Sequence, residues 1–104
     1  MAQGVAKGYW IALVDVSDPE SYKPYVAGIQ DVFRKFGGRY VIRGGRNEVM
    51  EGKLRSRLIT VEFADYATAL AAYKSPEYTE VRKLRAHCAT ADLVVVEGYD
   101  GAQA

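Results

Sequence analysis

The chain has 104 residues, 49% of them apolar and 26% charged, with 14 Lys+Arg against 13 Asp+Glu for a formal net charge of +1. A chain of this length is the size of one domain and buries roughly two-thirds of its unfolded surface, enough for a core without disulfides or metals. Near-neutrality argues against a dedicated nucleic-acid binder, which carries a basic stripe, and the apolar content argues against disorder.

Gly8 to Val16 is rich in aromatic and β-branched residues and reads as a strand. Asp18-Pro19-Glu20 starts a helix, with Asp18 as cap and Pro19 at the first helical position; Ser17 with Glu20 fits an alternative capping box. Tyr22, Tyr25, Val26, Ile29, Phe33 and Phe36 then recur at helical spacing, and Gly37-Gly38 ends the run, since glycine takes the left-handed cap without steric cost. Arg39 to Arg43 is a second strand, interrupted at Gly44-Gly45 and resuming over Asn47 to Glu51. After a turn at Gly52-Lys53, Ser56 to Phe63 is the third strand. Asp65 caps a second helix through Leu70 and Tyr73; Ser75-Pro76-Glu77 restarts it, and it continues through Tyr78, Val81 and Leu84. Asp92 to Glu97 is the fourth strand. The order β-α-β-β-α-β is the split-βαβ, ferredoxin-like pattern, an α+β fold with an antiparallel sheet and its helices on one face. One domain is expected over residues 7–99, with loose ends at 1–6 and 100–104.

A sheet covered by helices on one side should alternate apolar and polar residues. The first strand does not: Tyr9, Ile11 and Leu13 lie on one face, and Trp10, Ala12, Val14 and Val16 on the other. The fourth repeats this, with Leu93 and Val95 opposite Val94 and Val96. Such a sheet exposes more apolar surface than a soluble monomer tolerates, and the simplest cover is a second copy in a two-fold dimer. The single Cys88 cannot form an internal disulfide, which suits a reducing compartment. The first residues contain no apolar run before Lys7 and do not read as a signal peptide. The longest apolar stretch, Tyr9 to Val14, is far short of the ~20 residues of a membrane span. The expectation is a cytoplasmic homodimer without nucleic-acid or membrane partners.

The segments Lys7-Gly-Tyr-Trp-Ile11, Phe36-Gly-Gly-Arg-Tyr-Val-Ile-Arg-Gly-Gly45, Glu51-Gly52, Ser75-Pro-Glu-Tyr78 and Val96-Glu-Gly98 occur in this order along nearly the whole domain. In them the chain resembles a family of small bacterial proteins, the domain-of-unknown-function family numbered thirteen-thirty. The resemblance implies the dimeric α+β barrel, shared with cofactor-free monooxygenases and muconolactone isomerases. It brings no assigned activity. It implies that any ligand sits in a cleft between the sheet and the helices of each subunit.

Arg39 and Arg43, four apart on one strand, are expected on the same face, with Glu62 on the neighbouring strand. A guanidinium there holds a small carboxylate in bidentate fashion, or else pairs with Glu62 to fix strand register. Gly44-Gly45 beside arginines suits a backbone nest for an anion or a glycine bulge, and no P-loop sequence follows. Tyr73, Ser75 and Tyr78 surround the helix restart; Tyr73 and Ser75 are expected at the rim of a cleft, with Trp10 as a wall, and the alternative for the three restart residues is a cap plus core packing. His87, the one histidine, is adjacent to Cys88, and neighbouring helical residues point apart, so neither a His–Cys pair nor a metal site is expected. These residues suggest a dimer that binds a small anionic or aromatic molecule, acting on it without a cofactor if it acts at all. The competing reading is a non-catalytic ligand-binding or protein-interaction module.

Overall fold

The computed structural model describes residues 6–103. The loose ends expected at 1–6 and 100–104 therefore lie outside the described residues at positions 1–5 and 104. Along the chain run β1 (Gly8–Val16), α1 (Pro19–Phe36), β2 (Arg39–Arg43), β3 (Arg57–Phe63), α2 (Tyr66–Lys74), α3 (Pro76–Arg82), a 3-10 turn (Lys83–Arg85) and β4 (Ala89–Glu97). The four strands form one antiparallel sheet in the order β2-β3-β1-β4. Each βαβ unit thus has a foreign strand inserted between its own two, which is the expected ferredoxin-like arrangement.

The helix boundaries follow the capping chemistry. Asp18 caps α1 and accepts a hydrogen bond from the Ser21 amide, while Ser17 donates its hydroxyl to the Cys88 carbonyl instead of forming a capping box. Gly37, at φ +74°, closes α1 in the left-handed conformation. Asp65 accepts from the Thr68 amide at 2.7 Å and opens α2. The Ser75 hydroxyl accepts from the Tyr78 amide and donates to the Ala72 carbonyl, so one side chain serves the end of α2 and the start of α3. Pro19 and Pro76 both occupy first turns, where a missing amide hydrogen costs nothing.

Two strand boundaries differ from expectation. β4 begins at Ala89 rather than Asp92, because β1 pairs with it as far as Val16↔Ala89. Residues 47–51 form no strand: from Gly44 to Ser56 the chain is an exposed arm with no ladder partner. His87 lies exposed in the turn before β4.

Burial alternates along the strands. Trp10, Ala12 and Val14 of β1 are buried beneath the helices with Val61 and Phe63 of β3. Ile29, Val32 and Phe33 of α1, Ala69 and Ala72 of α2, and Tyr78 of α3 complete the core. The opposite face is bare. Val94 (52% exposed), Ile42 (42%) and Val96 (37%) lie there beside the half-buried Tyr9, Ile11, Leu13 and Leu58.

The polar groups of this open face are paired. Glu62 accepts from the Tyr9 hydroxyl and from Arg39 Nε, each at 3.0 Å. Arg55, at the base of the arm, bridges Asp15 (3.1 Å) and Asp92 (3.0 Å).

At Gly8 the sheet meets the cap of α2 so closely that a Cβ would stand 2.2 Å from the Asp65 carbonyl oxygen. Gly8→Ala must push β1 and α2 apart and should cost about 1–3 kcal/mol in urea unfolding. A wild-type midpoint in that variant would show that the contact is not tight. The hydrogen bonds from Tyr9 and Arg39 hold the Glu62 carboxyl below its ordinary pKa of 4.5. The resulting stabilisation is complete above that value and is lost as pH falls through the lowered one. Glu62→Gln should therefore flatten the acid limb of the melting-temperature profile, the wild-type and variant curves converging at low pH.

Candidate functional site

The two arginines expected on one face lie on opposite faces. Arg39 pairs with Glu62 and Tyr40 with Val61, but the register then slips past Val41, so that Ile42 faces Thr60 and Arg43 faces Ile59. The slip is a β-bulge, and one extra residue reverses the alternation of everything after it. Arg39 and Glu62 therefore belong to the open face, whereas Arg43 lies on the helix face, where its exposed side chain stacks on the Tyr40 ring, 4.2 Å from its centroid. The bulge comes at Val41 rather than at Gly44-Gly45; Gly44, at φ +62°, ends the strand and donates its amide to the Leu58 carbonyl.

Arg43 reaches a groove between α1 and the sheet that holds a cavity of about 70 Å³. The hollow has a packing origin. Near Gly8 the helix face of the sheet carries Trp10, Val61 and Phe63, which fill the space beneath the helices. Toward the other end it carries Ala12 and Ala91, whose short side chains leave room under Tyr22, Tyr25 and Val26 of α1. Trp10 lines the hollow, with its indole N–H committed to the Ala69 carbonyl at 2.8 Å.

Every charged residue lining this groove is an arginine: Arg43, Arg57 and Arg85. Among the described residues none of the three forms an ion pair with a carboxylate. Arg57 shares the helix face of β3 with Ile59 and Val61, and fits beside Gly44, where a Cβ would lie 3.2 Å from its Nη2. Arg85 projects from the 3-10 turn over the Tyr25 ring, with Nη2 3.5 Å from the Tyr78 hydroxyl. Burial raises the pKa of Tyr22 and, far more, that of Tyr25, where the neighbouring Tyr78 adds to it. Both phenols are therefore neutral. With the Tyr40 ring stacked on Arg43, the groove presents positive charge and hydroxyl groups above an apolar floor.

Tyr73 and Ser75 stand elsewhere. Tyr73 packs edge-on against Trp10 from the far side and accepts a hydrogen bond from Arg82 at 3.0 Å beside a broad surface depression. Ser75 is buried, and its hydroxyl is consumed by the two helix ends. Of the six residues expected at a ligand site, Arg43 and Trp10 line the groove, while Arg39, Glu62, Tyr73 and Ser75 do not.

Arg57 and Arg85 were not foreseen, although each leaves a trace in the sequence. Arg57 keeps the parity of Ile59, Val61 and Phe63, which places an arginine on a face otherwise apolar. Arg85 follows Tyr78 by seven residues, two helical turns along the buried stripe. Cys88 is buried and free, and outside the groove.

Comparison with solved structures gives the same fold at low sequence identity. A protein of unknown function from Rhodopseudomonas palustris superposes with a TM-score of 0.71 at 19% identity, over 92% of this chain and 85% of the other. A Bacteroides fragilis protein of unknown function, described as dimeric and ferredoxin-like, gives 0.57 at 16% identity over 91% and 97%. A Bacteroides thetaiotaomicron protein described as a possible oxidoreductase gives 0.52 at 11% identity over 88% and 97%. No curated protein matches the chain. The family model for the Domain of unknown function (DUF1330) matches residues 7–99, and with nearly the whole chain so covered, the protein belongs to that family.

Proposed function

We propose that this protein is a homodimer in which each subunit, one domain over residues 7–99, binds a small organic anion in the groove beneath α1. The observation that carries the reading is the set of guanidiniums of Arg43, Arg57 and Arg85, which share an apolar-walled groove with no carboxylate in it. Arg85 is half-buried while Arg43 and Arg57 are exposed, and an anionic ligand would supply all three with the carboxylate partner that the groove itself lacks. A cavity of about 70 Å³ fits a ligand of only a few heavy atoms, at ~10–15 Å³ for each water-sized occupant. The reading calls for no cofactor. Because the polar side chains of the groove are arginines and tyrosines, it offers charge and hydrogen bonds rather than a nucleophile or base, which favours binding over catalysis. The free, buried Cys88 suits a reducing cytoplasm.

Dimerisation is supported by the open face. Its apolar residues continue onto the returning arm, where Leu54 lies beside Leu13, Asp15 and Asp92. A self-complementary sheet face of this kind suits an isologous two-fold contact, and the Bacteroides fragilis relative in fold is described as dimeric. In the dimer the sheets pack face to face, leaving the groove on the outer, helical side of each subunit.

Two measurements test the proposal. In light scattering at micromolar concentration the 11.5 kDa chain should run at about twice that mass, and Ile11→Asp should shift it to monomer; a stable wild-type monomer sinks the dimer. In an NMR titration with propanoate, cross-peaks of groove residues should move. Arg43→Ala and Arg57→Ala should each weaken that binding about tenfold, the worth of one charge-assisted hydrogen bond. Identical titrations in wild type and the double variant remove the arginines from the site.

A further inference from the structure

The register of the sheet lays out the groove's cations and its apolar hollow relative to one another. On the helix face, Arg43 of β2 stands opposite Ile59 of β3, Ile59 opposite Ala12 of β1, and Ala12 opposite Leu93 of β4. In the next row Arg57 stands opposite Val14, and Val14 opposite Ala91. Ala12 is thus the small side chain between Ile59 and Leu93, and it makes a pit in the floor two strands, or about 10 Å, from Arg43. Arg85 stands on the β4 side, half-buried over the Tyr25 ring.

Cations and pit differ in their access to water. Arg43 and Arg57 are exposed, whereas Ala12, Val14 and Trp10 in the floor and Ile29 above it are buried. The polar groups around the pit are already engaged. The Trp10 indole donates to the Ala69 carbonyl, the Tyr25 and Tyr78 hydroxyls bond to each other, and the Tyr40 hydroxyl accepts from Gln30. Among the described residues no buried side-chain nitrogen or oxygen lacks a partner. A carboxylate driven into the pit gives up water and finds no donor in exchange, while a hydrocarbon tail gains by leaving water.

We infer that the groove takes short aliphatic monocarboxylates tail first, the carboxylate staying on the solvent-facing side held by Arg43 and Arg57 and the alkyl chain entering the pit over Ala12. This rests on the anion-binding reading above and gives its ligand an orientation and a chemical class. Acetate satisfies the arginines and leaves the hollow unfilled. A cavity of about 70 Å³ accepts a tail of only a few carbons, so Ala12 and Ala91 set the length that fits.

The test titrates acetate, propanoate, butanoate and glutarate into the whole protein, followed by NMR. Affinity should rise about three- to fourfold per step from acetate to butanoate, the worth of one buried methylene. Glutarate, which is butanoate with a second carboxylate at its tail, should bind more weakly than butanoate. Ala12→Val fills the pit with a side chain suited to a strand and should leave butanoate no tighter than acetate. Ala91→Val repeats the test from the next row of the sheet, and amide spectra show which variants are folded. No gain with chain length in wild type, a gain that survives in the folded variants, or tighter binding of glutarate overturns the inference and leaves anion binding intact. Failure of all four acids to bind overturns the anion-binding reading itself.

Discussion

The indole of Trp10 holds the two layers of this fold together. Its N–H bonds the Ala69 carbonyl at 2.8 Å, tying the middle of the sheet to α2, and its ring meets Phe33, Phe63, Tyr73 and Tyr78 at centroid distances of 4.9–5.7 Å. A buried indole needs one acceptor for its single donor, and that need fixes the ring's position as its area alone does not. Tyr78 is wedged between Trp10 and Tyr25, and the Ser75 cap sets the first turn of the helix that carries it. The Tyr25–Tyr78 hydroxyl pair thus inherits its geometry from the core.

Charge is sorted between the two faces of the sheet in a way the net value of +1 conceals. On the open face, Arg39 meets Glu62, and Arg55 meets Asp15 and Asp92. On the helical side, Arg43, Arg57 and Arg85 have aromatic rings and hydroxyls for company and no carboxylate. Exposed ion pairs contribute little to stability, so the paired arginines serve register more than energy. Of the unpaired ones, Arg43 and Arg57 keep contact with solvent and Arg85 is half-buried over the Tyr25 ring.

Much of the architecture was legible because it rests on local chemistry. Asp18, Gly37, Asp65 and Ser75 mark helix ends through hydrogen bonds and a left-handed turn that only a few residue types provide. The two apolar faces of β1 follow from the two-residue period of a strand, and the comparisons place the chain in the family its motifs suggested. What failed was inference across a non-local feature. The bulge at Val41 arises from how β2 fits against β3, and no residue type in Arg39 to Arg43 announces it. The reading of Asn47 to Glu51 as a strand failed for a related reason: alternation shows that a segment can pair but not that a partner lies beside it. Arg57 and Arg85 were hidden differently, since they come from separate elements and become one site only when α1 closes over the sheet.

The bulge also links the two surfaces of the molecule. Without it, Arg39 and Arg43 would share the open face, and the groove would lose a cation while the apolar face gained an unpaired one. With it, five residues of β2 serve two purposes: Arg39 and Ile42 belong to the sheet face that a second copy would cover, and Tyr40 and Arg43 to the groove. A two-fold contact that grips Ile42 would hold the register on the far side of the bulge. Because a register slip of one residue moves every following side chain to the other face, holding Ile42 would also keep Arg43 on the helix face. The proposed assembly on one side of the sheet and the proposed ligand recognition on the other would then depend on the same extra residue.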